Sequence, residues 1–211
     1  MDFVMSKPEP KSEPKSEPSW PQGWKIKSQR KETETEHWRL YPKAIDAAYF
    51  HKLMTEVVPY CRDRSGSRQS CLFGDFNYAG VPCYSWDSVP AVLLNLVTDV
   101  QKITGHHYDY ILVHLYVDGN SYIGWHNDKE AEHSPIASLS LGATRKFRLR
   151  GMPKRNELPA TGYDYEYCLQ SGDLFVMKPG CQTVWEHTVP KEQTVHDPRI
   201  NVTFRVRDRD L

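Results

Sequence analysis

The feature that most constrains the fold is a run of short, β-prone segments in the second half of the chain. These segments are rich in β-branched and aromatic residues, several of them alternate apolar with polar residues, and turn residues separate them. They cover residues 110–119, 136–142, 145–150, 164–170, 173–180 and 200–207. Two segments with helical spacing precede them, one over 43–58 that stops at Pro59 and one over 89–104 that Gly105 closes. We therefore predict an α+β fold in which a double-stranded β-helix, or jelly-roll barrel, packs against N-terminal helices.

The N-terminus has a different character. Residues 6–18 read SKPEPKSEPKSEP, and proline removes the backbone donor that helices and sheets need, while the tract offers nothing to bury. We predict a disordered tail over 1–22 and a single domain over 23–211. Within that domain, 23–109 should hold helices and loops, and 110–207 should form the jelly-roll core.

Composition narrows the setting in which the chain works. The five cysteines are an odd number with no CxxC pair, which predicts reduced thiols rather than a disulfide framework. No apolar run approaches the roughly 20 residues of a membrane span, and the N-terminus has no signal-peptide core. We expect a monomer that does not enter membranes and resides in the nucleus or cytoplasm. Because 27 basic residues balance 27 acidic ones, a broad polycation is excluded, but a local basic groove is not.

Candidate metal ligands begin at His126-Asn127-Asp128. Residues i and i+2 of an extended chain point the same way, so both side chains can reach one metal; a surface histidine beside an acid is the alternative. His187 follows a strand-like segment and a tight turn, and it can lie opposite. Two histidines and one carboxylate form the facial triad of non-haem iron sites, which leaves positions open for a bidentate cosubstrate and dioxygen. Zinc is the competing metal.

Anion-binding residues are predicted on the last strand, RINVTFR. Arg199, Asn201, Thr203 and Arg205 share one face of it. Two arginines that point into a barrel are costly unless anions meet them. A dicarboxylate offers a carboxylate at each end, and guanidinium binds carboxylates bidentately. A surface strand with alternating charge is the alternative.

Together these motifs resemble the AlkB family of 2-oxoglutarate dioxygenases. The order is the same: the HxD, the distal histidine, and RINVTFR, which ends 18 residues after that histidine. Residues 134–150 resemble the strand pair that follows the HxD in the family, and the resemblance covers roughly residues 68–207. The closest likeness is to the branch that acts on alkylated DNA and RNA bases, through RQSCLFGD (68–75), Tyr84-Ser85-Trp86 and Glu130.

The resemblance implies Fe(II) and the cosubstrate 2-oxoglutarate. His126, Asp128 and His187 would bind the iron. Arg199 would hold the distal carboxylate of the cosubstrate, and Arg205 would lie near its C1 carboxylate and near Asp128. These catalytic residues would be joined in the cosubstrate pocket by Tyr116, His114, Asn201 and Thr203. The family usually has asparagine where this chain has His114. Whether His114 donates a hydrogen bond to the cosubstrate therefore depends on the protonation state of its imidazole.

The resemblance also implies that the partner is nucleic acid, with DNA as the first expectation and RNA as the second. It implies further that loops within 23–109 recognise the nucleotide. Chemistry on a base requires the base to leave the stack and enter a pocket. Trp86 would stack the base opposite the ring of His126. Further candidates are Tyr84, Phe73 and Tyr78 for stacking, Arg62, Arg64 and Arg68 for phosphates, and Glu130 for the base edge. Core aromatics, a solvated basic loop and an ordinary surface acid are the respective alternatives.

We therefore expect an Fe(II)- and 2-oxoglutarate-dependent dioxygenase that demethylates bases such as N1-methyladenine and N3-methylcytosine, releasing formaldehyde, succinate and CO2. Where a duplex-repair relative carries an apolar finger, this chain reads CRDRSGSRQ (61–69), which favours single strands. The alternatives are an RNA-specific base demethylase, a dioxygenase of the same fold that hydroxylates a protein side chain, and a non-catalytic nucleic-acid binder.

Overall fold

The structure, a computed structural model, describes residues 26–27, 32–63, 67–75, 80–153 and 162–207. The predicted tail over 1–22 lies outside these residues, as do Arg64 and Tyr78.

Fourteen strands lie within the described residues. In chain order they are β1 (Ile26–Lys27), β2 (Thr33–Glu34), β3 (Trp38–Tyr41), β4 (Arg62–Asp63), β5 (Gln69–Phe73), β6 (Cys83–Tyr84), β7 (Tyr110–Tyr116), β8 (Ile123–His126), β9 (Ile136–Gly142), β10 (Arg145–Gly151), β11 (Tyr165–Leu169), β12 (Leu174–Met177), β13 (Trp185–Val189) and β14 (Arg199–Arg205). One sheet has the order β1-β11-β10-β13-β8. The larger sheet has the order β2-β3-β12-β9-β14-β7-β5-β4, with β6 beside β5. Most of the neighbouring strands are antiparallel, which is the predicted double-sheet architecture.

Two α-helices cover the outer face of the larger sheet. Helix α1 (Tyr49–Glu56) and helix α2 (Ala91–Thr104) contribute Leu53 and Leu96 to a core that Val113 and Val202 complete from the sheet. Gly105 closes α2 in the left-handed conformation, as the sequence predicts. A short third helix, α3 (Cys181–Val184), precedes β13.

A second core fills the space between the two sheets. It includes Trp38, Phe147, Phe175 and Val189, all of them buried. Strand β14 separates the two cores: its apolar residues face the helices, so its polar residues, at alternate positions, face the barrel interior. The alternation that predicts a polar face on this strand is thereby confirmed.

The structure differs from the sequence prediction at the N-terminal side of the barrel. Strands β3 and β5 extend the large sheet into 23–109, where only helices and loops were predicted. Helix α1 begins at Tyr49 rather than at 43, because the Asp46 carboxylate accepts a hydrogen bond from the Ala48 amide (2.8 Å) and the Ile45 amide bonds Gly172 (3.1 Å). None of the helices in the described ranges has the length and apolar character needed to cross a membrane.

Candidate active site

The two predicted histidine ligands lie side by side on neighbouring strands. His126 ends β8 and His187 lies in β13, where they are direct cross-strand partners with ring centroids 4.2 Å apart. Asp128 follows two residues beyond β8 and turns towards both. Its Oδ2 lies 3.6 Å from His187 Nε2, and its Oδ1 lies 4.0 Å from His126 Nε2. One ligand atom from each of the three residues lies within 4.8 Å of the others, which confirms the predicted convergence.

The protonation states suit metal binding. His126 Nδ1 lies 2.8 Å from the carbonyl oxygen of Gly124, which can only accept, so Nδ1 carries a proton and Nε2 is the nitrogen that is left for a metal. Burial, assisted by the charge of His126, lowers the pKa of His187 to about 3, so this ring is neutral at physiological pH. Burial alone would raise the pKa of Asp128, but Arg205 and the two histidines lower it to about 2. The site therefore offers two imidazole nitrogens, of which that of His187 belongs to a neutral ring, and one ionised carboxylate.

Gln182 holds the HxD segment in place, a role that the sequence does not reveal. The buried Gln182 Oε1 accepts a hydrogen bond from the Asp128 amide, and its backbone oxygen accepts one from Asn127 Nδ2, both at 2.9 Å. Its own Nε2 lies 3.2 Å from Met177 Sδ. Asn127 and Asp128 are thus both fixed from α3, far away in the chain.

Arg199 is buried with most of its donors unused. It is 1% exposed, its Nη2 donates to Ser140 Oγ (2.9 Å), and its guanidinium lies 5.0 Å from the Tyr116 ring centroid. Its Nε and Nη1 are buried and have no hydrogen-bond partner among the described residues. Burial lowers the pKa of this guanidinium, but arginine remains charged in proteins. A buried cation with two free donors is a binding site for an anion.

Arg205, at the other end of β14, lies beside the candidate metal ligand Asp128. Its Nη2 donates to Asp128 Oδ2 (3.1 Å), its Nη1 donates to Glu130 Oε1 (2.8 Å), and its Nε lies 3.2 Å from Thr203 Oγ1. The predicted neighbourhood of Arg205 and Asp128 is confirmed. Arg205 keeps the metal-side carboxylate ionised and directed.

The middle of the pocket is lined by polar side chains that form hydrogen bonds with neighbouring groups of the protein. Asn201 Nδ2 donates to Ser138 Oγ (2.9 Å) and to the Leu139 carbonyl (2.8 Å). Thr203 Oγ1 donates to the Leu112 carbonyl (3.1 Å). These bonds orient the two side chains on the inner face of β14.

His114 faces Asn201 across the β7–β14 ladder and is buried. Its Nδ1 lies 2.7 Å from Ser70 Oγ on the adjacent β5. Burial, together with the charges of Arg68 and Arg205, holds the pKa of His114 well below its usual range. The imidazole is therefore neutral.

The predicted metal and cosubstrate side chains line one cavity between the sheets, whose empty space, including the open solvent at its mouth, is about 390 Å³. Its lining includes His126, Asp128, His187, Arg199, Arg205, Tyr116, His114, Asn201 and Thr203. The residues fit Fe(II) with a dicarboxylate: a triad of two histidines and one aspartate suits the metal, and the unused donors of Arg199 suit a carboxylate.

The predicted substrate residues lie outside this lining. Phe73 is a correction: it is fully buried in the core under the helices, where its ring contacts Tyr60 and Tyr84, so it has no surface for a base. The hydroxyl of Tyr84 donates to the Tyr60 carbonyl (3.1 Å). Trp86 is half-buried against the same core, with its backbone amide bonded to Asp75 (3.1 Å).

The predicted polar substrate residues are divided between the site and the loop. Glu130 is 36% exposed and pairs with Arg205, beside Asp128. Arg68 lies near the Tyr122 carbonyl, whereas Arg62 donates to the carbonyls of its own turn, Pro59 (2.6 Å) and Cys61 (2.8 Å).

Comparisons with known proteins bear on this site. A family model described as the 2OG-Fe(II) oxygenase superfamily matches residues 75–205. The chain is 33% identical over 168 residues to DNA oxidative demethylase ALKBH2 of Mus musculus, covering 76% of this chain and 70% of that one. It is 40% identical over 123 residues to Alpha-ketoglutarate-dependent dioxygenase alkB homolog 3 of Bos taurus, covering 54% and 42%. With the homolog 3 of Mus musculus the identity is 37% over 190 residues, covering 79% and 64%.

A solved structure shares the fold. The chain titled "The structure of OsALKBH1" superposes with a TM-score of 0.61 at 17% identity, covering 83% of this chain and all of that one. Across the three curated relatives, the chain spans between 42% and 70% of their lengths.

Proposed function

The chain belongs to the AlkB family of the 2OG-Fe(II) oxygenase superfamily, and on that premise we propose that it oxidatively dealkylates nucleobases such as N1-methyladenine and N3-methylcytosine in DNA. Its cofactors are Fe(II) and 2-oxoglutarate. One observation carries the proposal: the His126–Asp128–His187 triad shares a cavity with the unused guanidinium donors of Arg199. RNA is a second polymer to which the same base chemistry applies.

When bound, iron, 2-oxoglutarate and dioxygen would supply the oxidation that converts 2-oxoglutarate into succinate and CO2 and the N-methyl group of the base into formaldehyde. The protein's part is binding, orientation and electrostatics.

We assign the metal to His126, Asp128 and His187. The neutral imidazole of His187 presents its lone pair without first losing a proton, Asp128 is ionised, and His126 turns its Nε2 away from the Gly124 carbonyl, so a divalent cation meets a ready set of donors. Arg205 tunes this set, because it takes one lone pair of Asp128 Oδ2 and leaves the rest of the carboxylate for the cation.

We assign the cosubstrate to the space between the triad and Arg199. The distal carboxylate would take the free Nε–H and Nη1–H of Arg199, whose guanidinium lies over the Tyr116 ring at 5.0 Å from its centroid. Asn201 and His114 face the middle of the same cavity, where the cosubstrate's remaining polar atoms would lie.

The base end lies at the open side of the triad. The side chain of His126 is 28% exposed, so its ring is available to a flipped base. Trp86 keeps part of its surface outside the core and remains our candidate for the opposite face of the base, and Glu130 remains our candidate for its edge.

We further propose that single strands are preferred over duplexes. In the described part of the 61–69 segment, Cys61 is buried in the core and the other residues are polar: Arg62, Asp63, Ser67, Arg68 and Gln69. An apolar wedge would be needed there to refill the gap left by a flipped base. A monomeric state and a nuclear or cytoplasmic location remain predictions.

The test is to measure succinate and formaldehyde from purified protein, Fe(II) and 2-oxoglutarate with oligonucleotides that carry one N1-methyladenine or N3-methylcytosine. Single-stranded, duplex and bulged DNA and a matched RNA strand are compared at one salt concentration, since phosphate contacts are salt-dependent. We expect equimolar products on the single strand and none on the unmethylated control. Asp128→Asn, which keeps the shape of the side chain, should be inactive. Absence of formaldehyde from every methylated strand would refute the proposal.

A further inference from the structure

Tyr122 is an exposed aromatic residue at the edge of the active site. Of the described Phe, Tyr and Trp residues, it alone is classed as exposed, at 39%. It immediately precedes β8, whose Ile123 and His126 both line the cavity. Four residues of extended chain span about 13 Å, so Tyr122 lies within a few nucleotides of any base held at His126.

Two cations accompany this ring. Lys191 Nζ lies 4.8 Å from the centroid of the Tyr122 ring, and Arg68 Nη1 lies 3.5 Å from the Tyr122 carbonyl oxygen, which is a long contact. Arg68 Nε is buried and lacks a hydrogen-bond partner among the described residues. Within the same described part of the chain, neither Arg68 nor Lys191 forms an ion pair. Both positive charges are therefore available to an anion.

The position of Tyr122 is fixed by the backbone. Its amide donates to the Ser67 carbonyl (3.1 Å), while the neighbouring Arg68 reaches its carbonyl. This contact ties the end of the arginine-rich 61–69 segment to the start of β8. The aromatic ring and the two cations are thus held together beside the start of β8, whose Ile123 lines the cavity.

We propose that Tyr122, Arg68 and Lys191 form a rim subsite for a nucleotide next to the target base in a single strand. The base of that nucleotide stacks on the Tyr122 ring, and its phosphate meets Arg68 and Lys191. Aromatic stacking beside basic groups is the general mode of single-strand binding, and it is tolerant of sequence. In a duplex the neighbouring base stays paired and stacked, so the subsite contributes little there. The inference rests on the proposed function and supplies a positive cause for the strand preference.

The test is a cycle in which both the protein and the substrate are changed. Wild type, Tyr122→Ala and Tyr122→Phe are compared by kcat/KM on single strands carrying one N3-methylcytosine, with normal neighbours or with an abasic site at one flanking position. Stacking on one base corresponds to roughly 5-fold or more in kcat/KM. We expect Tyr122→Ala to lose that factor on the normal strand and nothing further on the strand whose stacking neighbour is abasic. Tyr122→Phe should behave as wild type, and both variants should keep the KM for 2-oxoglutarate.

The contribution of the positive charges is tested separately, by the salt dependence of single-strand binding. Lys191→Ala should reduce the slope of log affinity against log salt for a single strand by about 0.7, the value for one lost phosphate contact. Lys146→Ala, another surface lysine, is the matched control, because its ammonium already faces Glu192 (3.7 Å) and its loss should leave the slope unchanged.

The outcomes separate the two proposals. A wild type without formaldehyde production on any methylated strand removes the proposed function and the subsite with it. Normal wild-type turnover, combined with an unchanged Tyr122→Ala variant or with an equal loss on normal and abasic strands, overturns the subsite alone.

Discussion

The sharpest prediction contrasts two buried arginines that lie against the same ring. Arg145 and Arg199 are both 1% exposed, and their guanidinium groups lie 5.6 and 5.0 Å from the Tyr116 ring centroid. Arg145 is satisfied by the Glu192 carboxylate (3.1 Å) and by three carbonyl groups at 2.7–2.9 Å. Within the described part of the chain, the guanidinium of Arg199 donates one hydrogen bond, to Ser140 Oγ. We therefore expect Arg145 to stabilise the fold and Arg199 to bind the cosubstrate.

The magnitudes follow from these contacts. Replacing Arg199 with Leu removes at least one charge-assisted bond to the distal carboxylate, worth about 1.5–3 kcal/mol, and so should weaken 2-oxoglutarate binding about 10- to 150-fold. The cosubstrate-free protein should not be destabilised, because the change removes a buried charge with two unused donors. Replacing Arg145 with Leu leaves three carbonyls without their guanidinium partner and Glu192 with Lys146 alone, and should cost about 3–5 kcal/mol with or without cosubstrate.

The assay is thermal unfolding of both variants under anaerobic conditions with Fe(II), with and without 2-oxoglutarate. A ligand at a concentration of 100 times its Kd stabilises the native state by about 2.7 kcal/mol. At the same ligand concentration, a site with 100-fold weaker affinity gives a stabilisation of only about 0.4 kcal/mol. For a domain of this size, the difference corresponds to a ligand-induced Tm shift smaller by about 5–9 °C. If Arg199→Leu keeps the full Tm shift and the wild-type KM, Arg199 does not bind the cosubstrate.

Other expectations can be checked with similar material. Asp128→Asn should lose Fe(II) affinity and turnover while its circular dichroism spectrum stays that of wild type. His187 has a pKa of about 3 in the native state and an ordinary value of 6.5, so between these pH values the unfolded chain binds a proton that the native state does not. The free energy of unfolding of the metal-free protein should therefore be roughly 2 kcal/mol lower at pH 5 than at pH 8. A free energy of unfolding that does not change between these pH values would contradict the burial argument. His114→Asn should keep the KM for 2-oxoglutarate within a few-fold, whereas His114→Leu should raise it. Deleting residues 1–19 should leave kcat on a short oligonucleotide unchanged, and a fall would show that this tract contributes to catalysis.

The cosubstrate side of the site could be predicted because it depends on local geometry. In RINVTFR the two-residue period of a strand decides which side chains share a face, and the apolar set fixes which face is buried. The positions of Arg199 and Arg205 then follow from sequence alone. The pairing of His126 with His187 could be expected only as a convergence, since their cross-strand register depends on a β-bulge between β13 and β8.

The recognition side could not be predicted in the same way. Strand β5 is buried on both faces, so its sequence shows no alternation that would separate an inward from an outward aromatic. Phe73 and Trp86 look equivalent as loop aromatics, yet the first is core and the second is partly exposed. The roles of Gln182 and Ser70 also could not be predicted from the sequence. Each of them contacts a residue that only the tertiary fold brings close, Asp128 in the first case and His114 in the second.

His114 shows how the fold resolves a question that the sequence leaves open. An imidazole in place of the family's usual asparagine would disturb a carboxylate site if its charge changed near neutral pH. Here burial, together with the nearby charges of Arg68 and Arg205, keeps it neutral. Ser70 Oγ at 2.7 Å from Nδ1 can donate its proton to that nitrogen, which leaves Nε2–H as the donor on the cavity side. A neutral imidazole held in this tautomer offers one N–H to the cavity, as a primary amide would. We therefore expect His114 to preserve the hydrogen-bonding character of the pocket, and we expect that character to depend on a second residue, Ser70.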